Sequence, residues 1–151
     1  MNPAPSDMIR SYLIGVGAGS PIEVKNMGTW PIYTNARPDG VGVPDNVISI
    51  FDTNGRKQGR IMSSGRTIIH PGIQIVVRAS ESDDSFSHSY YIAELLDQIQ
   101  MTTVTVNSVV VVLNAFTRGP ILTMGKEPGN RQRTLFSQNG TLAFQIQGQD
   151  P

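Results

Sequence analysis

Asn46-Val-Ile-Ser-Ile-Phe-Asp52, Thr53-Asn54-Gly55 and Pro71-Gly-Ile-Gln-Ile-Val-Val-Arg-Ala79 decide the fold class. The first is a β-branched apolar run and reads as a strand. The second breaks it, because Asn and Gly both tolerate positive φ and mark turns. The third alternates: Ile73, Ile75, Val77 and Ala79 point one way, Gln74 and Arg78 the other. That is the pattern of a half-buried strand. Ser82-Asp83-Asp84 then offers a polar cap with acid in a first helical turn. Ile92, Leu95, Leu96 and Ile99 recur at helical spacing as one apolar stripe. Residues 46–100 therefore predict strand, turn, strand and amphipathic helix around one core.

On the N-terminal side, Ser6 and Asp7 open a short helix over 7–16, with Met8, Ile9, Tyr12, Leu13 and Val16 as its buried face. Gly15, Gly17 and Gly19 end it. Residues 17–45 form a long irregular segment rich in Gly, Pro and Asn, of a length usually tied to function or interaction. Within it, Thr29-Trp-Pro-Ile-Tyr-Thr34 reads as a short strand. On the C-terminal side, 102–106 is a strand, Asn107-Ser108 a turn, and 109–116 strongly β-forming, with 121–124 continuing beyond a Gly119-Pro120 break. Residues 132–146 return as a strand, with Asn139-Gly140 as a bulge or turn.

A chain of 151 residues is long enough for one domain with a real core. Twelve basic and twelve acidic residues cancel, so no bulk charge draws it to nucleic acid or acidic membrane. With no Cys there is no disulfide, thiolate nucleophile or thiolate metal site. The longest apolar run, 109–113, is too short to span a bilayer. Residues 1–7 lack the basic and apolar regions of a secretory signal.

Candidate chemistry is weak throughout. Gly15-Val-Gly-Ala-Gly19 follows a helix, whereas a dinucleotide loop follows a strand. Gly125-Lys126 is followed by Glu127, not Ser or Thr. Asp52-Thr-Asn-Gly55 lacks the downstream glutamate of a calcium loop. His70 and His88 have no metal-ligand partners at a recognised spacing, so His70 reads as a strand-end residue and His88 as a helix-surface one. Asp83 and Asp84 are explained by a helix N-terminus. No catalytic residue, cofactor or metal is expected.

Taken together, the Gly/Pro-rich segment, the strand ending Asp52-Thr-Asn-Gly55, the Pro71 to Arg78 strand, the helix carrying Ala93-Glu-Leu-Leu96 and the stretch Arg133-Thr-Leu-Phe-Ser-Gln-Asn139 resemble the tail terminator, or minor capsid, proteins of long-tailed bacteriophages. The likeness covers most of 46–145, and Pro71 to Arg78 is its best-matched part. Gly140 departs from it, standing where an aromatic or apolar residue is usual. Residues 17–44 match nothing in the pattern.

The resemblance implies a non-enzymatic virion protein at the head-proximal end of the tail. It implies a hexamer ring that caps the tail tube, stops its polymerisation and joins the head connector, with DNA only passing through the channel. The alternatives are another head–tail junction or tail component, such as a completion or tube protein, and a small ligand-binding domain. The expected fold is α+β, in one domain over 1–151. It has a mixed, mainly antiparallel sheet of four or more strands, two helices on one face and a long C-terminal β-hairpin. The expected subunit or partner contacts are Arg56, Arg60 and Arg66 on a loop over 56–66, Lys126 on a hairpin tip over 125–130, and Arg118, Arg131 and Arg133 beside the hairpin. Asp83, Asp84 or Glu94 of the next copy are the expected acidic partners for these arginines.

Overall fold

The computed structural model describes residues 3–19, 30–37, 43–60, 67–126 and 133–146, with the side chains of 54–60 and 67–69 set aside. The element order is α1 (Pro5–Gly15), β1 (Ile32–Thr34), β2 (Val47–Arg60), β3 (Thr67–Ala79), α2 (Ser82–Asp97), β4 (Thr102–Val106), β5 (Val109–Lys126) and β6 (Thr134–Ile146). These make a mainly-sheet α+β fold. The six strands form one mixed sheet in the order β1-β2-β3-β6-β5-β4. Only the β1–β2 pair is parallel; every other neighbouring pair is antiparallel.

Both helices feed one apolar cluster. Met8, Ile9, Tyr12 and Leu13 come from α1, and Ile92 and Leu96 from α2, with Ile99 just past its end. They meet Ile48, Ile50, Ile73, Ile75 and Val77 of the sheet. Leu95 is only partly buried against this cluster. Each large aliphatic side chain fully buried here contributes roughly 1.5–3 kcal/mol. Val16, expected in the core, lies past the helix end and is 41% exposed.

The helix ends show how local chemistry is completed from a distance. α1 starts two residues earlier than expected, with Ala4 as N-cap and Pro5 in the first turn, so Ser6 is already helical. Asp52 of β2 supplies the missing cap. Its carboxylate accepts from the Ser6 N–H at 2.9 Å, from Ser6 Oγ at 2.6 Å and from Asn35 Nδ2 at 2.8 Å. At the other end the N–H of Ala18 donates to Leu13 O at 2.9 Å and that of Gly17 to Ile14 O at 3.1 Å. Gly17 has φ +83°, and this pair of bonds is the Schellman ending that such a glycine permits.

Two expected breaks turn out to be bulges. β2 does not turn at Asn54-Gly55; it continues to Arg60 and pairs with β3 from Thr67. The pairs Thr53↔Gly72 and Arg56↔His70 leave two β2 residues opposite Pro71 alone. Proline has no N–H for the ladder, so an irregularity opposite it costs little. β5 likewise runs through Gly119-Pro120, which together oppose Asn139.

β3 is also more enclosed than its alternation predicts. Val76 is 2% exposed and Arg78 1% exposed, although both lie on the face opposite Ile75 and Val77. On that face Ser49, Val76 and Ser137 form a buried row across β2, β3 and β6. The sheet centre is therefore buried on both sides, which a strand containing Gln and Arg does not advertise.

Candidate functional site

The residues expected to make contacts fall into three groups. Arg66 and Arg131 lie outside the described residues, as do the side chains of Arg56 and Arg60 and the tip beyond Lys126. The backbones of Arg56 and Arg60, expected on a loop, belong to β2, paired with His70 and Thr67. Lys126 is exposed at the end of β5.

Arg118 and Arg133 are engaged within their own chain. Arg118 grips Asp97 at the end of α2 with two parallel bonds, Nε to Oδ1 at 3.2 Å and Nη2 to Oδ2 at 3.0 Å. Bidentate geometry of this kind fixes orientation as well as charge. The guanidinium is held further above its ordinary range, first by its bond to Asp97. Arg133 is 1% exposed, and its Nη1 lies 3.4 Å from Asp45 Oδ1. Arg78, equally buried, donates to the carbonyls of Asp45 at 3.1 Å and Pro44 at 3.0 Å. These two arginines tie the segment entering β2 to the ends of β3 and β6. Arg133 is thus enclosed by its own chain, and Arg118 is bonded to an acid of its own chain.

Among the described residues, four of the seven exposed large apolar side chains lie around the outer half of the β5–β6 pair. Phe86 and Tyr90, one turn apart on α2, are 49% and 54% exposed. Phe86 meets Phe136 of β6 edge to face, with ring centroids 5.6 Å apart. Phe136 is paired with Thr123. Leu122 is paired with Ser137 and so lies on the opposite face; it is 49% exposed, and the adjacent Met124 is 46% exposed. The same strand pair therefore presents aromatic surface on one side and aliphatic surface on the other. Sequence reading missed this division because it depends on register. A shift of one residue would exchange the faces.

His88 is not a simple surface residue of α2. Its ring stacks on Trp30 with centroids 4.1 Å apart and planes 3° from parallel. Nε2 lies 2.9 Å from Ala18 O and donates to it. Burial lowers its pKa below the ordinary 6.5, partly offset by that bond. The stack ties the approach to β1 to the middle of α2.

Among the described residues no group of three or more His, Asp or Glu is placed to hold a metal ion. No described helix is long and apolar enough to cross a membrane.

No family model matches the chain, and no curated protein does. Among solved structures, a protein whose name carries no functional word aligns over 80% of this chain and 84% of its own, at 11% identity and a TM-score of 0.42.

Proposed function

We propose that this chain is a non-enzymatic structural subunit of the tail-terminator kind. Copies assemble into a ring, six in the closed form, at the head-proximal end of a phage tail. In this reading both helices occupy one face of the sheet, and β5 and β6 form a long C-terminal hairpin that reaches the neighbouring copy. The ring stops tube growth and meets the connector.

The observation that supports the reading is the two-sided apolar surface of that strand pair. Phe86, Tyr90 and Phe136 lie on one side, and Leu122 and Met124 are about half exposed. A contact between unlike faces of identical copies propagates head to tail and closes into a ring when its rotation allows. Burial of exposed apolar side chains supplies the driving force. The resemblance carried by Pro71 to Arg78 and Arg133 to Asn139 supplies the family.

Because Arg133 is enclosed, reversing its charge would unfold the subunit rather than test an interface. Leu122→Asp with Met124→Asp is the sharper probe, since both side chains are exposed. Light scattering after size exclusion should find six-copy rings for the parent chain and folded monomers for the double variant. Phage carrying the double variant should make tails of abnormal length or tails that fail to join heads. A parent chain that stays monomeric at all concentrations and in the presence of tail tubes would reject the assignment.

A further inference from the structure

The outermost strand on the C-terminal side, β4, reads Thr-Thr-Val-Thr-Val and carries no charge and no proline. Natural sheets usually protect such an edge with one or the other. Its hairpin with β5 turns through Asn107 and Ser108, both at positive φ, 48° and 67°. That is the two-residue turn whose flanking residues, here Val106 and Val109, bond to each other. Antiparallel pairs alternate between bonded and non-bonded. Val104 and Thr102 therefore also bond β5, through Val111 and Leu113. Thr103 and Thr105 must turn their N–H and C=O outward. Among the described residues nothing meets those groups.

Beside this edge lies a groove of about 360 Å3. It is bounded by Tyr12 and Gly15 of α1, by Val16 just past its end and by residues 102–105. None of its residues is charged. Its floor is apolar where Val104 turns to the core and Val16 stands 41% exposed.

We propose that the β4 edge and this groove bind an extended, uncharged segment of a partner protein as an added strand. Outward backbone groups at every second residue fit only another extended backbone. The groove lies on the Val104 side and solvent on the Thr103 and Thr105 side, so the incoming strand alternates apolar with polar side chains. The absence of charge along the groove disfavours an acidic or basic segment, which would lose hydration without gaining a partner. The occupant is a segment of a different protein rather than a second copy. The opposite edge of this sheet is three residues long, and Arg10 Nε occupies its Ile32 carbonyl at 3.0 Å. The β4 edge of one copy therefore cannot continue onto the β1 edge of the next. A five-residue strand over a small groove is also too short to hold two subunits together alone. The surface lies at the far end of β5 from Leu122, so the inference stands apart from the ring assignment.

The test uses the full chain, 15N-labelled, titrated with the capped peptide acetyl-Ser-Val-Thr-Val-Thr-Val-Ser-amide. The amide signals of Thr103 and Thr105 should shift, and their hydrogen exchange should slow. Thr105→Pro removes one outward donor and spares the β4–β5 ladder; it should weaken binding about tenfold. Val16→Arg charges the groove without touching the strand and should weaken binding similarly, so it decides the matter if the proline variant fails to fold. The proposal is overturned if the peptide leaves Thr103 and Thr105 unmoved, or if Val16→Arg binds it as well as the parent. It is equally overturned if the free chain already protects those two amides by pairing β4 with β4 of a second copy, read as a dimer in sedimentation.

Discussion

The two edges of the sheet are built on different terms. The β1 edge is three residues long and is closed by its own chain. Arg10 takes the Ile32 carbonyl, Asn35 bonds Ile50 O through its N–H at 2.7 Å, and the Asn35 side chain exchanges bonds with Asp52. Trp30 and His88 stack over the approach to it. Among the described residues the β4 edge has none of this and leaves two residues facing outward. Charge, side-chain bonds and aromatic stacking close one side of the molecule, and the other side keeps backbone available for pairing. Under the proposal above, stability and association fall to opposite margins of one sheet.

The largest test removes the platform both edges share. Leu96 is fully buried in the core between α2 and the sheet, so Leu96→Asp places an unpaired carboxylate there. It should cost several kcal/mol, on the order of other buried-charge substitutions, and lower the melting temperature steeply. An unchanged melting temperature would mean that α2 does not bury this stripe.

A middle-sized effect should single out the closed edge. Asp52→Ala removes the cap of α1 and the partner of Asn35 together. The expected cost is about 1–2 kcal/mol, in the range of other lost N-caps. Hydrogen exchange should quicken at Ser6 and Asn35 while the β4–β5 ladder keeps its protection. Uniform loss of protection across both edges would show that they are not independent.

The smallest effect is a pH dependence carried by His88. The unfolded chain titrates this imidazole near the ordinary 6.5, and burial holds the folded value lower. Below pH 6.5 the unfolded chain takes up a proton that the folded one resists, so its stability falls as the pH drops through that window. Above it, the contribution is fully present. Melting temperatures measured between pH 5 and pH 8 should decline on the acid side for the parent chain, and His88→Phe should flatten the decline. An equal decline in the variant would place the sensitivity elsewhere.

Much of the architecture was legible in residue order. The stripe of Ile92 and Leu96, the alternation of Ile73, Ile75 and Val77, and the Asn107-Ser108 turn each follow from periodicity or turn chemistry. What escaped shares one cause: it depends on partners far away in the chain. Asn54-Gly55 looks like a turn until Pro71 is placed opposite it. Arg133 looks like a surface cation until Asp45, 88 residues earlier, comes within reach. His88 looks like a helix-surface residue until Trp30 lies flat against it. The groove under β4 is invisible in sequence because α1 ends at Gly15 and β4 begins only at Thr102. Its free edge, by contrast, could have been suspected from an uncharged Thr-Val strand that ends the sheet.

Gly140 gives the sheet a further property. A Cβ there would sit 2.5 Å from the Phe116 ring and 2.5 Å from Thr117 O, so the space a side chain would need is already filled from the neighbouring strand. Because one obstacle is backbone, trimming Phe116 alone cannot make room. The volume above this point is inherited by two positions jointly, not by either one. The sheet takes its bulk at this point from β5 alone, so a side chain at 140 would need both the Phe116 ring and the Thr117 backbone to move.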